Sequence, residues 1–64
     1  MKNNIIVGNY YLITLKEDFN NIKKDIEFKA ECIDLNESNF LFEYCTNNGD
    51  CQFTDDIIKT IKHL

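Results

Sequence analysis

Asn48-Gly49 is flanked by Phe40-Leu41-Phe42-Glu43-Tyr44-Cys45-Thr46 on one side and Cys51-Gln52-Phe53 on the other, two runs rich in strand-favouring residues. Asn-Gly is the preferred centre of a type I′ hairpin turn, because both central residues take positive φ and the turn then matches the twist of the strands. Centring the turn there predicts pairing of Tyr44 with Phe53 and of Thr46 with Cys51. Cys45 then faces Gln52 on the opposite side of the ribbon. Phe42, Tyr44 and Phe53 fall on one face.

The strand before this hairpin is also readable. From Ile26 to Asp34, Ile26, Phe28, Ala30 and Cys32 alternate with Glu27, Lys29, Glu31 and Ile33, the pattern of a half-buried antiparallel strand. Leu35-Asn36-Glu37-Ser38-Asn39 has turn composition. A five-residue connection pairs Asp34 with Phe40, Cys32 with Phe42 and Ala30 with Tyr44. This register sets Phe28, Ala30 and Cys32 on the aromatic face chosen by the Asn-Gly turn.

Residues Asn4 to Lys16 read as a long first strand in which Tyr11, Ile13 and Leu15 alternate with Tyr10, Leu12 and Thr14. Both rows suit a strand, so it is buried on both faces or bends, with Gly8-Asn9 as a bulge or corner. Glu17 to Asp25 is polar, and Phe19 and Ile22 tuck that loop against the core. In the tail, Ile57, Ile58, Ile61 and Leu64 lie at helical spacing. Thr54 suits the cap, Asp55 and Asp56 the first turn, and Lys59, Lys62 and His63 the last. A short C-terminal helix is the expectation, with a 3-10 turn followed by a final strand as the competing one.

A long first strand, an anchored loop, a three-stranded meander and a short closing element resemble an SH3-like or Sm-like small β-barrel. Phe28-Lys29-Ala30-Glu31-Cys32-Ile33-Asp34, with Asn39-Phe40-Leu41-Phe42 after it, is similar to the first Sm motif: a small residue, an apolar run, an Asp, then an Asn before apolar residues. Sm proteins usually have Gly where Ala30 stands. The tail offers Thr54-Asp55-Asp56-Ile57 where their second motif has Gly and a basic residue. The resemblance implies the barrel across Ile5 to Phe53 and none of the RNA-binding residues. The expected fold is mainly β: a small SH3-like antiparallel barrel or strongly bent sheet of four or five strands, with a short C-terminal helix.

A chain of 64 residues makes one domain, residues 1–64. At this size roughly 60% of the unfolded surface is buried, so a partner, a metal or disulfides commonly supplement the core. Three cysteines, an odd number, suit reduced thiols. Ile5-Ile6-Val7 is too short for the apolar core of a signal peptide, and no run approaches a membrane span. A cytoplasmic location is the expectation. Asn, Ile and Lys are abundant and have AT-rich codons, which points to a low-GC bacterium or its phages and plasmids.

Eleven acids against seven lysines and no arginine give a net charge of −4. Direct nucleic-acid binding is not expected of such a chain, since phosphate recognition favours a basic stripe and the Arg fork. Nor is an enzyme: His63 sits one residue from the C-terminus, where no imidazole is held for acid–base work, and no nucleophile or phosphate-loop motif is present. Cys32, Cys45 and Cys51 are spaced unlike a zinc site, so neither a metal nor a cofactor is expected.

Surface is what remains. Glu27, Glu31 and Glu43, with Lys29 among them, share the outward face of the central hairpin with Ile33, Leu35 and Leu41, an apolar strip rimmed by acids. The expected function is protein binding through these six residues, in an inhibitor or modulator of a larger host machine encoded by a phage or other mobile element. The alternatives are an Sm-like or SH3-like nucleic-acid module stacking bases on Tyr10, Tyr11 or Phe19, and a homo-oligomeric structural domain such as a homodimer.

Overall fold

Five segments of the chain, rich in β-branched and aromatic side chains, pair as strands. In the computed structural model, which describes residues 5–46 and 51–64, these are β1 (Tyr10–Leu15), β2 (Phe28–Asn36), β3 (Leu41–Thr46), β4 (Gln52–Thr54) and β5 (Ile58–His63). They form one antiparallel sheet in the order β4-β3-β2-β1-β5. The sheet is not closed into a barrel, and β4 and β5 are its two edges. It is nevertheless strongly bent. A flat sheet of five strands sets its edges about 19 Å apart, whereas the chain from Thr54 to Ile58 reaches at most about 14 Å.

The β3–β4 register is the expected one. Tyr44 lies opposite Phe53, Cys45 opposite Gln52, and the Thr46 amide donates to the Cys51 carbonyl at 2.9 Å. The Asn48-Gly49 turn itself lies outside the described residues.

The β2–β3 register differs from expectation. Cys32 pairs with Tyr44 and Ala30 with Thr46, two residues from the expected partners. A two-residue slip preserves faces, so the core row survives. A bulge at Ile33 then adds one more residue, and Leu35 pairs with Phe42 and Asn36 with Leu41. The connection is therefore the four residues 37–40, shaped by local side chains. The Asn36 carboxamide oxygen accepts from the Ser38 amide at 3.0 Å and from its hydroxyl at 2.6 Å, and that of Asn39 accepts from the Leu41 amide at 3.1 Å.

The tail is not an α-helix. Asp55–Ile57 is a single 3-10 turn, Thr54 makes no side-chain cap, and β5 follows at once. β1 otherwise offers an unpaired ladder, and Ile57, Ile58, Thr60 and Ile61 are β-branched residues whose stiff side chains suit a strand. β5 supplies that ladder, with Ile13 opposite Ile61 and Tyr11 opposite His63.

The first strand is shorter than expected. Ile5 to Asn9 precede it as a corner around Gly8, whose φ is +99°. This corner is tied down by Gly8 N–H donating to the Cys32 carbonyl at 2.7 Å and Cys32 N–H donating to the Asn9 carbonyl at 3.0 Å.

The core lies on the concave face. Tyr11, Ile13, Leu15, Ala30, Cys32, Tyr44, Cys51 and Phe53 are buried, and Phe19, Ile22, Phe28 and Phe42 pack against them half-buried. Phe53 is the hub, contacting the rings of Phe19, Phe28 and Tyr44 at 6.4, 5.6 and 5.5 Å. The loop holding Phe19 and Ile22 folds as expected, the two residues exchanging backbone hydrogen bonds of 2.9 Å each.

Candidate functional site

Paired residues of neighbouring strands share a face, so the register assigns the outer surface. Across it run Tyr10, Glu31, Cys45 and Gln52, and beside them Asp34, Glu43 and Thr54. Leu41 and Glu43 therefore stand on this face with Glu31, as expected. Ile33 is the bulged residue between the two registers and is half-buried. The bulge turns Leu35 to the other side, opposite Phe42, where it is 37% exposed. Glu27 precedes β2 and reaches the far edge, 3.3 Å from the Lys62 ammonium. Four of the six expected residues thus gather around the outer side of the β2–β3 hairpin, while Leu35 and Glu27 lie apart.

The structure adds residues that the strand reading passed over. Phe40 is 73% exposed at the hairpin end, with a left-handed backbone of φ +59°. Such a conformation is unusual for a bulky side chain. Leu35 and Leu41 flank it in the paired strands, so the end of the hairpin carries apolar surface on both sides. Asp34 stands directly opposite Glu43, two carboxylates in one cross-strand pair. Glu37 opens the turn and is exposed.

Charge is divided between two parts of the chain. Seven of the eleven acids and none of the seven lysines fall between residues 30 and 58, giving that stretch −7 and the remainder +3. The salt bridges among described residues, Lys23–Asp18, Lys59–Asp25 and Lys62–Glu27, all draw their acids from the other part. The stretch from Ala30 to Ile58, which holds β3, β4 and all of β2 except Phe28 and Lys29, therefore projects a negative potential.

Of the three aromatics considered for base stacking, Tyr11 is fully buried and Phe19 is half-buried against Phe53. Tyr10 alone is open, 41% exposed with the Lys29 ammonium 5.0 Å from its ring centre. His63, read as the exposed end of a helix, stands instead on β5. It is still exposed, with its ring 5.1 Å from that of Tyr11.

Cys32, Cys45 and Cys51 are free thiols, the first and last buried in the core as expected. Burial pushes the Cys32 thiol and the Tyr44 hydroxyl above their ordinary ranges, so both stay protonated at neutral pH. Among the described residues no cluster of three or more His, Cys, Asp or Glu is placed to hold a metal ion, and no helix is long and apolar enough to cross a membrane.

Comparisons with protein-family models, with curated proteins and with solved structures each return no match.

Proposed function

We propose that this chain is a non-catalytic protein-binding module with an SH3-like arrangement of its bent sheet, working in the cytoplasm. The observation that carries this reading is the β2–β3 hairpin end, where Phe40 is 73% exposed and Leu35 and Leu41 adjoin it within an acidic surround. Apolar side chains framed by charge are the make-up of a binding patch, with a core that loses water and a rim that stays wet. Expected contacts are Ile33, Leu41, Glu31 and Glu43, with Leu35 on the reverse side. Glu27, its carboxylate 3.3 Å from the Lys62 ammonium, would join them from the far edge of the sheet. The acidic charge suits a modulator encoded by a mobile element that occupies a basic groove on a larger host machine.

The nucleic-acid reading rests on Tyr10 with Lys29, the one exposed aromatic of the three that were candidates for stacking. A single platform beside one lysine is a small footprint for a phosphate chain.

The test pairs nuclease-treated capture from a low-GC bacterial host with titrations of single- and double-stranded DNA and RNA at low salt. A captured protein that survives nuclease and is lost with Leu41→Asp supports the module. Micromolar binding of nucleic acid, with capture indifferent to Leu41→Asp, overturns it.

A further inference from the structure

We infer that the β2–β3 hairpin docks end-on into an apolar pocket rimmed by Lys or Arg on a cationic partner protein, with Phe40 as the inserted side chain. This deepens the protein-binding reading and rests on it. Charge complementarity supplies the occupant's chemistry. Residues 30–58 hold seven acids and no base, and the salt bridges among described residues engage none of Glu31, Asp34, Glu37 and Glu43, of which Asp34 and Glu37 are exposed and Glu31 and Glu43 half-buried. Asp34 opposite Glu43 is an unfavourable cross-strand pair in the free protein, and a facing cation relieves it. The acidic potential repels phosphate chains and anionic lipid surfaces alike.

The apolar part has its own geometry. Phe40 is 73% exposed on a turn whose shape is fixed by the Asn36 and Asn39 carboxamides, and Leu35, 37% exposed, stands beside it in β2. A large side chain on a preformed turn loses little conformational freedom on insertion, the usual property of an anchor residue. A second copy of the chain is a poorer occupant, since each copy carries a net charge of −4 and three of its seven lysines, Lys23, Lys59 and Lys62, already sit beside Asp18, Asp25 and Glu27.

The test follows backbone amide shifts of the ¹⁵N-labelled full chain during titration with two synthetic amphipathic peptides of equal apolar content. One carries lysine on its polar face and the other glutamate. The lysine peptide is expected to shift amides between Asp34 and Glu43, and to lose about tenfold in affinity from low to physiological salt. Phe40→Ser and the charge-only variant Glu37→Gln/Glu43→Gln should each weaken it while leaving the rest of the spectrum in place. Shifts that map elsewhere, an equal response to the glutamate peptide, or no saturable shift at all overturn the inference. A host protein captured equally by wild type and Phe40→Ser overturns hairpin docking but leaves the protein-binding reading standing. Nucleic acid that shifts Tyr10 and Lys29 removes both. A concentration-dependent dimer abolished by Phe40→Ser replaces the foreign partner with a second copy.

Discussion

Tyr44 and Phe53 stand directly opposite each other on β3 and β4, their rings stacked with centroids 5.5 Å apart and planes 16° from parallel. Phe28 and Phe19 meet the same Phe53 ring in steeply tilted, T-shaped contacts. One side chain from a three-residue edge strand thus joins the meander to the long β1–β2 loop.

Truncating this hub should be the most damaging single change in the aromatic set. Phe53 is 5% exposed, and Phe53→Ala is expected to cost about 3–5 kcal/mol. A domain of this size has only about 3–10 kcal/mol to lose. Phe42 is half-buried and its truncation should cost clearly less. Urea melts of the two variants check the order, and equal midpoints would place the hub elsewhere.

That aromatic face was legible because two turn signals, Asn48-Gly49 and the polar run after Asp34, each set a parity, and parity survives a slip of two residues. What parity cannot carry is a bulge. Ile33 fits a strand as well as its neighbours do, so nothing in its type announces that Leu35 changes sides. The tail misled for a related reason. Ile57, Ile58, Ile61 and Leu64 have helical spacing, but the open edge of β1 needed a partner, and tertiary pairing outweighs a periodicity of four residues. Phe40 was absorbed into a strand because Phe-Leu-Phe reads as one. The lysine-free stretch from 30 to 58 was present in the sequence, but its meaning depended on the sheet gathering those acids together.

The corner at Gly8 makes a backbone prediction. Its φ of +99° is costly for L-residues, while an added Cβ would meet nothing within 4 Å. Gly8→Ala should therefore lose about 1–2 kcal/mol through conformation alone. A chemically synthesised chain with D-alanine at this position should recover that loss. Thermal melts of wild type and both variants check this, and a D-alanine chain no more stable than the L-alanine one would count against strain as the cause.

The thiols should differ in reactivity by burial. Cys45 lies on the outer face and is half-buried, whereas Cys32 is fully buried with its thiol pushed up by desolvation. Alkylation followed by mass spectrometry should label Cys45 first, with Cys32 modified only as the protein unfolds. Reducing agent should leave the melting temperature unchanged. Early labelling of Cys32 in folded protein would place it outside the core.

Acid stability should depend on the link between the β1–β2 loop and β5. The Lys59 ammonium donates a 2.7 Å hydrogen bond to Asp25, and this bond, with the ammonium charge, holds the carboxyl below its ordinary 3.8. A carboxylate depressed in the folded state contributes stability above its unfolded pKa and loses that contribution as pH falls through the folded value. The window therefore lies below about pH 4, and the exposed setting keeps the effect small. Asp25→Asn keeps a residue that tolerates the local φ of +67° while removing the charge, so its acid transition should be less steep. Denaturant melts between neutral and strongly acid pH check this, and parallel curves for both proteins would remove Asp25 from the account.

At Phe40, stability and binding should move in opposite directions. Its backbone sits at φ +59°, a region that Asn enters more readily than a bulky aromatic residue. The ring is 73% exposed, so little buried area is lost with it. Phe40→Asn is expected to raise stability by about 0.5–1 kcal/mol, a reversal of the usual effect of removing an aromatic side chain. If Phe40 is the anchor proposed for the hairpin end, the same variant should weaken the lysine peptide as Phe40→Ser does. Chemical denaturation and peptide titration on the same sample read both quantities. Lower stability in Phe40→Asn would mean that the ring supports the folded hairpin, and the reason for keeping an aromatic in a strained, exposed position would then lie in folding.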